Sequence, residues 1–184
     1  MTLPEFITDS LHLLQVAASG RDNPLRTPVL TTVSNTVPYQ RIVVLRRYSP
    51  EKRQLLFYTD IRSNKVEHLR ENSAAGLLFW HPDEQLQIRI RGRITVEHRT
   101  PTTQQHYAEL PAHSLRTYAT RLPPGTPSNA SEIEFLPDER IEANFALLRF
   151  EPDVFEFLKL NRERHYRAQS LRENNAWTQT WLVP

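Results

Sequence analysis

The fold is decided by residues 41–80, which read RIVVLRRYSPEKRQLLFYTDIRSNKVEHLRENSAAGLLFW, and by residues 86–94, which read LQIRIRGRI. The first stretch opens with a β-branched run of the kind that is enriched in strands. At Ser63 the spacing of the apolar residues changes to that of a helix. A continuous apolar run over residues 74–81 and strict alternation over residues 85–96 then predict two more strands.

The rest of the chain supplies further strands with helices around them. Apolar periodicity and turn residues predict helices over residues 4–18, 100–110 and 112–120, and strands over residues 26–33, 40–47, 54–59, 145–150, 154–160, around Arg164 and over 178–183. Residues 122–131 (LPPGTPSNAS) are rich in Pro, Gly and Ser, so we expect a mobile loop there. The elements predict a mainly β (α+β) fold, an antiparallel barrel-like sheet with peripheral helices. We expect one domain over residues 1–184, with an N-terminal helix within residues 1–20.

Composition excludes several classes of protein. The chain has 184 residues, 39% of them hydrophobic, so it can bury a core, and it has no cysteine for a disulfide, a thiolate metal site or a nucleophile. Its four glycines are too far apart for a phosphate-binding glycine loop, and its seven histidines form no HExxH motif, so no metal site is predicted. No apolar stretch is long enough to span a membrane, and the N-terminal MTLPEFITDS does not resemble a secretory signal. We therefore expect a cytoplasmic protein.

The helix that begins at Ser63 and the strands beside it could form an anion site. A helix start presents unpaired N–H groups and the positive end of the helix dipole. Lys65 in the first turn is unfavourable unless an anion offsets its charge, and Arg41 and Thr59 could add donors from neighbouring strand ends. The alternative is that Ser63 only caps the helix and that Lys65 is solvated. Spacing alone favours this alternative.

The order of the motifs resembles the pyridoxamine 5′-phosphate oxidase-like family of flavin-binding split β-barrels. The elements that carry the resemblance are, in order, Arg41-Ile42-Val43-Val44-Leu45, Phe57-Tyr58-Thr59, Ser63-Asn64-Lys65, Asn72 and Gln87-Ile88-Arg89-Ile90-Arg91-Gly92. The resemblance implies an antiparallel split β-barrel with FMN bound at a homodimer interface.

The residues implied to hold FMN share one site. They are Arg41, Ser63 and Lys65 at the phosphate, with Tyr58 and Thr59 beside them; Ile42, Val43 and Val44, whose backbone runs along the flavin ring; Asn64, where the family usually has arginine; and Gln87 and Arg164, which come partly from the partner chain. Arg47 and Arg53, by contrast, are expected on the surface.

The part of the site implied to hold a substrate departs from the family's pattern. Arg46 replaces a lysine that binds the substrate phosphate, and Ser114 matches, so both are implied to be substrate-binding residues. His106 and Leu110 stand where a tyrosine and an arginine complete that pocket, and Leu158 stands where a tryptophan contacts the flavin. The cofactor half of the site is intact in the sequence, whereas the substrate half is altered.

Three functions follow from these features. The first is an FMN-dependent oxidoreductase for which pyridoxamine or pyridoxine 5′-phosphate is the substrate class, and no catalytic residue is assigned. The second is an FMN-binding module without that activity, acting as a flavin reductase, carrier or sensor. The third is a nucleic-acid-binding barrel that uses Arg89, Arg91 and Arg93, which is disfavoured because that strand face has few aromatic residues for base stacking. We expect a homodimer with a small-molecule substrate and with no nucleic-acid or membrane partner.

Overall fold

The computed structural model describes residues 1–20, 22–129 and 133–184, and within them the chain forms an antiparallel sheet with short helices around it. The helices are α1 (Leu3–Ser19), α2 (Asn64–Glu71), α3 (Pro101–Ala108), α4 (Ala112–Leu115) and α5 (Asp138–Ile141). The strands are β1 (Val29–Ser34), β2 (Val37–Ile42), β3 (Leu45–Ser49), β4 (Gln54–Asp60), β5 (Ala74–His81), β6 (Leu86–Glu97), β7 (Phe145–Lys159), β8 (Tyr166–Glu173) and β9 (Ala176–Leu182).

The sheet has the strand order β2-β1-β5-β6-β7-β4-β3, and β7 is the strand at which it divides. One edge of β7 pairs with β6 along its length. The other edge pairs first with β4, through residues 145–150, and then with β8, through residues 154–159. The predicted antiparallel split barrel with peripheral helices is therefore confirmed.

A bulge lets β7 continue through Pro152, where the sequence pattern predicts two separate strands. The register of β6 against β7 shifts between Arg91 and Gly92, and Gly92 lies opposite Pro152. Any side chain at position 92 would clash with the Glu151 backbone, so this close approach requires glycine. Proline is tolerated at a bulge because no ladder hydrogen bond is needed from its nitrogen.

Three other predicted elements differ from the structure. The predicted strand over residues 40–47 is interrupted, because the chain changes its partner strand: residues up to Ile42 pair with β1, whereas residues from Leu45 onward pair with β4. The helix expected over residues 112–120 is α4 followed by one 3₁₀ turn. Arg164 lies in the loop before β8 rather than in a strand.

Residues 122–129 form a loop whose ends are held together. Thr120 bridges Phe135, and the N–H group of Leu136 donates to Ala119 O at 2.6 Å. Residues 130 and 131 of the loop that we predicted lie outside the described residues.

The main core lies inside the barrel and is closed by α1. Phe6 of α1 packs edge-on against Phe157 of β7 and stacks on Trp181 of β9. A smaller apolar cluster lies under α3 to α5, where Phe145 and Tyr118 meet edge to face. The candidate site lies at the β4–α2 junction, between the end of β4 at Asp60 and the start of α2 at Asn64.

Candidate functional site

Lys65 lies at the junction of β4 and α2 among three short polar contacts. Its Nζ lies 3.2 Å from Thr59 Oγ1 and 3.2 Å from Ser63 Oγ, and the two hydroxyl oxygens are 3.3 Å apart. The turn is closed by Asp60, whose carbonyl accepts the N–H of Ser63 at 3.1 Å and its hydroxyl at 2.7 Å. The side chain of Ser63 makes no capping hydrogen bond to α2, although its carbonyl accepts the N–H of Val66 at 2.8 Å. Ser63 is therefore the N-cap residue of α2 by position, while its hydroxyl contacts Asp60 and Lys65 rather than the helix.

Arg41 brings a second cation to this junction from β2. Its Nη1 donates to Thr32 Oγ1 at 2.7 Å and to Tyr39 O at 2.8 Å. Burial lowers the pKa of Arg41. Burial also lowers the pKa of Lys65, and the charge of Arg41 lowers it further, while Asp60 acts in the opposite direction. The two cations are therefore close enough to repel each other.

Neither cation has an acidic partner within the described ranges of the chain. The nearest candidate, Asp60, is occupied by Arg62, which donates from Nη2 at 2.7 Å, from Nε at 3.0 Å and from its backbone N–H at 2.9 Å. Half-buried cations without a counter-ion are costly unless an anion arrives. The first turn of α2 adds backbone N–H groups that have no intrahelical acceptor. The donor set of Arg41, Lys65 and α2 fits a phosphate group.

Other predicted cofactor residues surround the break between β2 and β3. Ile42 is 68% exposed, Val43 is buried and Val44 is half-buried. Asn64 is exposed at the start of α2 and lies beside Gly125. These positions put the backbone of residues 42–44 directly after Arg41.

The side chain of Tyr58 does not reach the group formed by Lys65, Thr59 and Ser63, called here the Lys65 cluster. Neighbouring residues of a strand point to opposite faces, so Tyr58 points away from Thr59. Its hydroxyl lies 2.9 Å from His106 Nδ1, and its ring packs edge-on against Phe145. The hydroxyl of Tyr58 therefore belongs to the apolar side of β4.

Gln87 and Arg164 are also distant from the cluster within one protomer. Thr59 pairs with Ala146 near the start of β7, whereas Gln87 pairs with Leu158 near its end. These two positions are separated by about 40 Å of strand at 3.3 Å per residue. Arg164 follows the end of β7, and its guanidinium stacks over Tyr166 at 5.5 Å.

The predicted substrate residues Arg46 and Ser114 lie near this apolar side. The guanidinium of Arg46 lies 5.1 Å from the centre of the Tyr58 ring, and its buried Nε has no hydrogen-bond partner. Burial lowers the pKa of His106, and the charge of Arg47 lowers it further, so His106 is neutral near pH 7. Leu110 packs against the smaller apolar cluster, and Ser114 is half-buried in α4.

Arg47 and Arg53 differ in their surroundings. Arg47 is exposed, as predicted, and pairs with Glu109 at 2.5 Å. The prediction for Arg53 is wrong, because this side chain is half-buried: it donates to the buried Ser170 Oγ at 2.9 Å and stacks over Trp177 at 4.4 Å.

The outer face of the sheet carries exposed apolar side chains beside charged ones. Ile42 and Leu78 both pair with Val29, so they share one face, and Leu78 is 40% exposed. Trp80, two residues along β5, is 43% exposed. A groove of about 470 Å³ crosses this face beside Arg89.

The described residues contain neither a membrane-spanning helix nor a cluster of metal ligands. No helix there is both long and apolar enough to cross a membrane. No group of three or more acidic or histidine side chains there is arranged to hold a metal ion.

Comparisons with known proteins identify a family of FMN-binding proteins. A family model described as "Pyridoxamine 5'-phosphate oxidase, FMN-binding domain" matches residues 10–98. The pyridoxine/pyridoxamine 5′-phosphate oxidase of Citrobacter koseri is 30% identical over 173 residues, which cover 88% of this chain and 78% of that protein. The enzyme of the same name from Vibrio parahaemolyticus is 39% identical over 84 residues, and the match spans only 38% of its length.

The fold is also similar to solved structures, among them the following one. It is a pyridoxamine 5′-phosphate oxidase-related, FMN binding protein from Nostoc punctiforme PCC 73102, with a TM-score of 0.80 and 25% sequence identity. The superposition covers 100% of both chains.

Proposed function

This chain belongs to the pyridoxamine 5′-phosphate oxidase family and carries its FMN-binding domain, and from that premise we propose that it is an FMN-dependent oxidoreductase acting on a small organic molecule. The observation that carries the proposal is the pair of half-buried cations Arg41 and Lys65, which have no carboxylate partner among the described residues. A cofactor phosphate is the anion that such a pair would bind.

In this proposal the β4–α2 junction holds the phosphate end of FMN. Lys65 donates from Nζ, Arg41 donates from the edge of its guanidinium that is free of protein contacts, and the hydroxyls of Thr59 and Ser63 complete the cluster. The backbone of residues 42–44 runs beside the flavin ring, and Asn64 lies at the rim. When bound, FMN supplies a two-electron acceptor, and the protein supplies its orientation and electrostatic environment.

We place this site in a homodimer, because one protomer does not bring all of the predicted cofactor residues together. Gln87 lies about 40 Å of strand away from the Lys65 cluster, and Arg164 follows the same end of β7, so both would reach the flavin from a second protomer. The exposed Leu78 and Trp80 support this arrangement, because a second copy would cover them.

The residues around the proposed substrate pocket favour a different substrate from the one that names the relatives. Arg46 supplies one charge, but His106 is neutral and already paired with Tyr58, and Leu110 cannot donate. A phosphate dianion needs several charged donors at once. We therefore propose that Arg46 and Ser114 bind a substrate with less phosphate character, and that pyridoxamine 5′-phosphate is oxidised weakly or not at all.

A turnover assay of the FMN-loaded protein tests the activity. Hydrogen peroxide is followed with pyridoxamine and pyridoxine, each with and without the 5′-phosphate, under air. We expect the phosphorylated compounds to be poor substrates. Turnover of these on the order of 1 per second, with a micromolar KM, would contradict the altered pocket and would point to Arg116 or Arg162 as replacement donors. FMN uptake without turnover of any of the four compounds would favour the alternative, an FMN-binding module.

A further inference from the structure

Arg41 offers only part of its guanidinium to the phosphate site. A guanidinium has five N–H groups, two of them on Nη1. Both hydrogens of Nη1 are accounted for by Thr32 Oγ1 at 2.7 Å and Tyr39 O at 2.8 Å, with Leu30 O more distant at 3.5 Å. In the described part of the chain, Nε and Nη2 have no such acceptor, so three N–H groups remain for a ligand.

The acceptor Thr32 is itself fixed by its surroundings. It lies in β1 between Tyr39 of β2 and Ala75 of β5, and it is completely buried. Its hydroxyl also lies 3.1 Å from Nδ1 of His68, whose ring contacts the Tyr39 ring with centroids 4.4 Å apart. A buried hydroxyl with two partners has a defined orientation, so it can define the orientation of Arg41 in turn.

The histidine that holds this hydroxyl comes from the same helix that supplies Lys65. His68 lies in the last turn of α2, whereas Lys65 lies in its first turn. One helix therefore provides one cation directly and fixes the other through His68 and Thr32.

We infer that Thr32, held by His68, is a positioning residue that turns the free edge of Arg41 toward the cofactor phosphate. Without this acceptor, one Nη1 hydrogen would face an apolar group in a buried place, and the long side chain would leave its bound orientation. Binding would then have to order Arg41 at the expense of affinity. The inference rests on the proposed role of Arg41 and Lys65 in holding FMN.

The test is a double-mutant cycle of FMN affinity, measured by titrating FMN into the apoprotein and following the flavin fluorescence. Thr32→Val keeps the shape of the side chain and removes its hydroxyl. We expect it to weaken FMN binding about tenfold, the factor associated with one lost hydrogen bond to a charged group. Thr32→Ser restores the hydroxyl and should bind within about twofold of wild type. In an Arg41→Gln background, Thr32→Val should cause no further loss, because the positioned group is gone.

The outcomes separate this inference from the proposed function. If Arg41→Gln leaves FMN affinity unchanged, the phosphate site itself is wrong. If Arg41→Gln weakens binding but Thr32→Val does not, the positioning role is wrong. Full additivity of the two changes, or a loss in Thr32→Ser equal to that in Thr32→Val, would also overturn it. Thermal unfolding of each apoprotein identifies any variant that loses affinity by losing its fold.

Discussion

Replacing Lys65 by methionine separates a binding role from a structural one. Lys65 is half-buried, and among the residues that the structure describes its Nζ hydrogen-bonds to the hydroxyls of Thr59 and Ser63 alone. If it donates to the FMN phosphate, Lys65→Met removes one charge-assisted hydrogen bond, which is worth roughly 1.5–3 kcal/mol. We expect FMN affinity to fall by about one to two orders of magnitude.

The assay compares FMN with riboflavin, which lacks the phosphate. Both are titrated into the apoproteins of wild type, Lys65→Met and Lys52→Met, an exposed control in the turn between β3 and β4. We expect Lys65→Met to reduce the affinity for FMN alone and Lys52→Met to change neither affinity. An FMN affinity of Lys65→Met within about twofold of wild type would refute the phosphate assignment.

The same variant has an expected effect on stability. Because burial and Arg41 lower the pKa of Lys65 from its ordinary 10.5, the folded apoprotein binds this proton less tightly than the unfolded chain does. The free energy of unfolding should therefore rise with pH through the window between the lowered pKa and 10.5. Lys65→Met should remove this rise, and its apoprotein should unfold at the wild-type temperature or above it. A clear loss of stability near pH 7 would show that Lys65 has a structural role.

Arg53→Met should destabilise the fold by about 1–2 kcal/mol in chemical denaturation without changing FMN affinity, because it removes the hydrogen bond to Ser170 and the stacking on Trp177. Burial raises the pKa of Glu156, but the hydrogen bonds and charges of two arginines together hold it below its ordinary value, so wild-type stability should decline as the pH falls through that lowered pKa, and Glu156→Gln should flatten this decline in acid titrations. Trp80→Asp should yield a monomer in sedimentation that binds FMN weakly, and a dimer of unchanged affinity would contradict the proposed interface.

Sequence periodicity predicted the elements whose pattern is local. Strand β6 alternates buried and exposed residues as expected, and α1 and α2 begin and end near their predicted bounds. The break between β2 and β3 could not be predicted, since it depends on the chain changing its partner strand from β1 to β4. The continuity of β7 could not be predicted either, because Pro152 is tolerated only where Gly92 lies opposite it.

Site residues could be predicted where the chemical signal is local in the sequence. Ser63 and Lys65 lie at a helix start, where a cation is unfavourable unless an anion is bound nearby. Thr32 carried no such signal, because a threonine within a strand is ordinary until its hydroxyl is seen to meet Arg41. Arg53 was misplaced because its partner Ser170 lies 117 residues further along the chain.

A crystal structure of the FMN complex tests the central claim most directly. The account predicts phosphate oxygens about 2.7–3.2 Å from Lys65 Nζ and from Nη2 or Nε of Arg41, while Nη1 stays on Thr32. It also predicts Gln87 and Arg164 of a second protomer beside the flavin. A phosphate bound elsewhere, with Lys65 still contacting only Thr59 and Ser63, would contradict it.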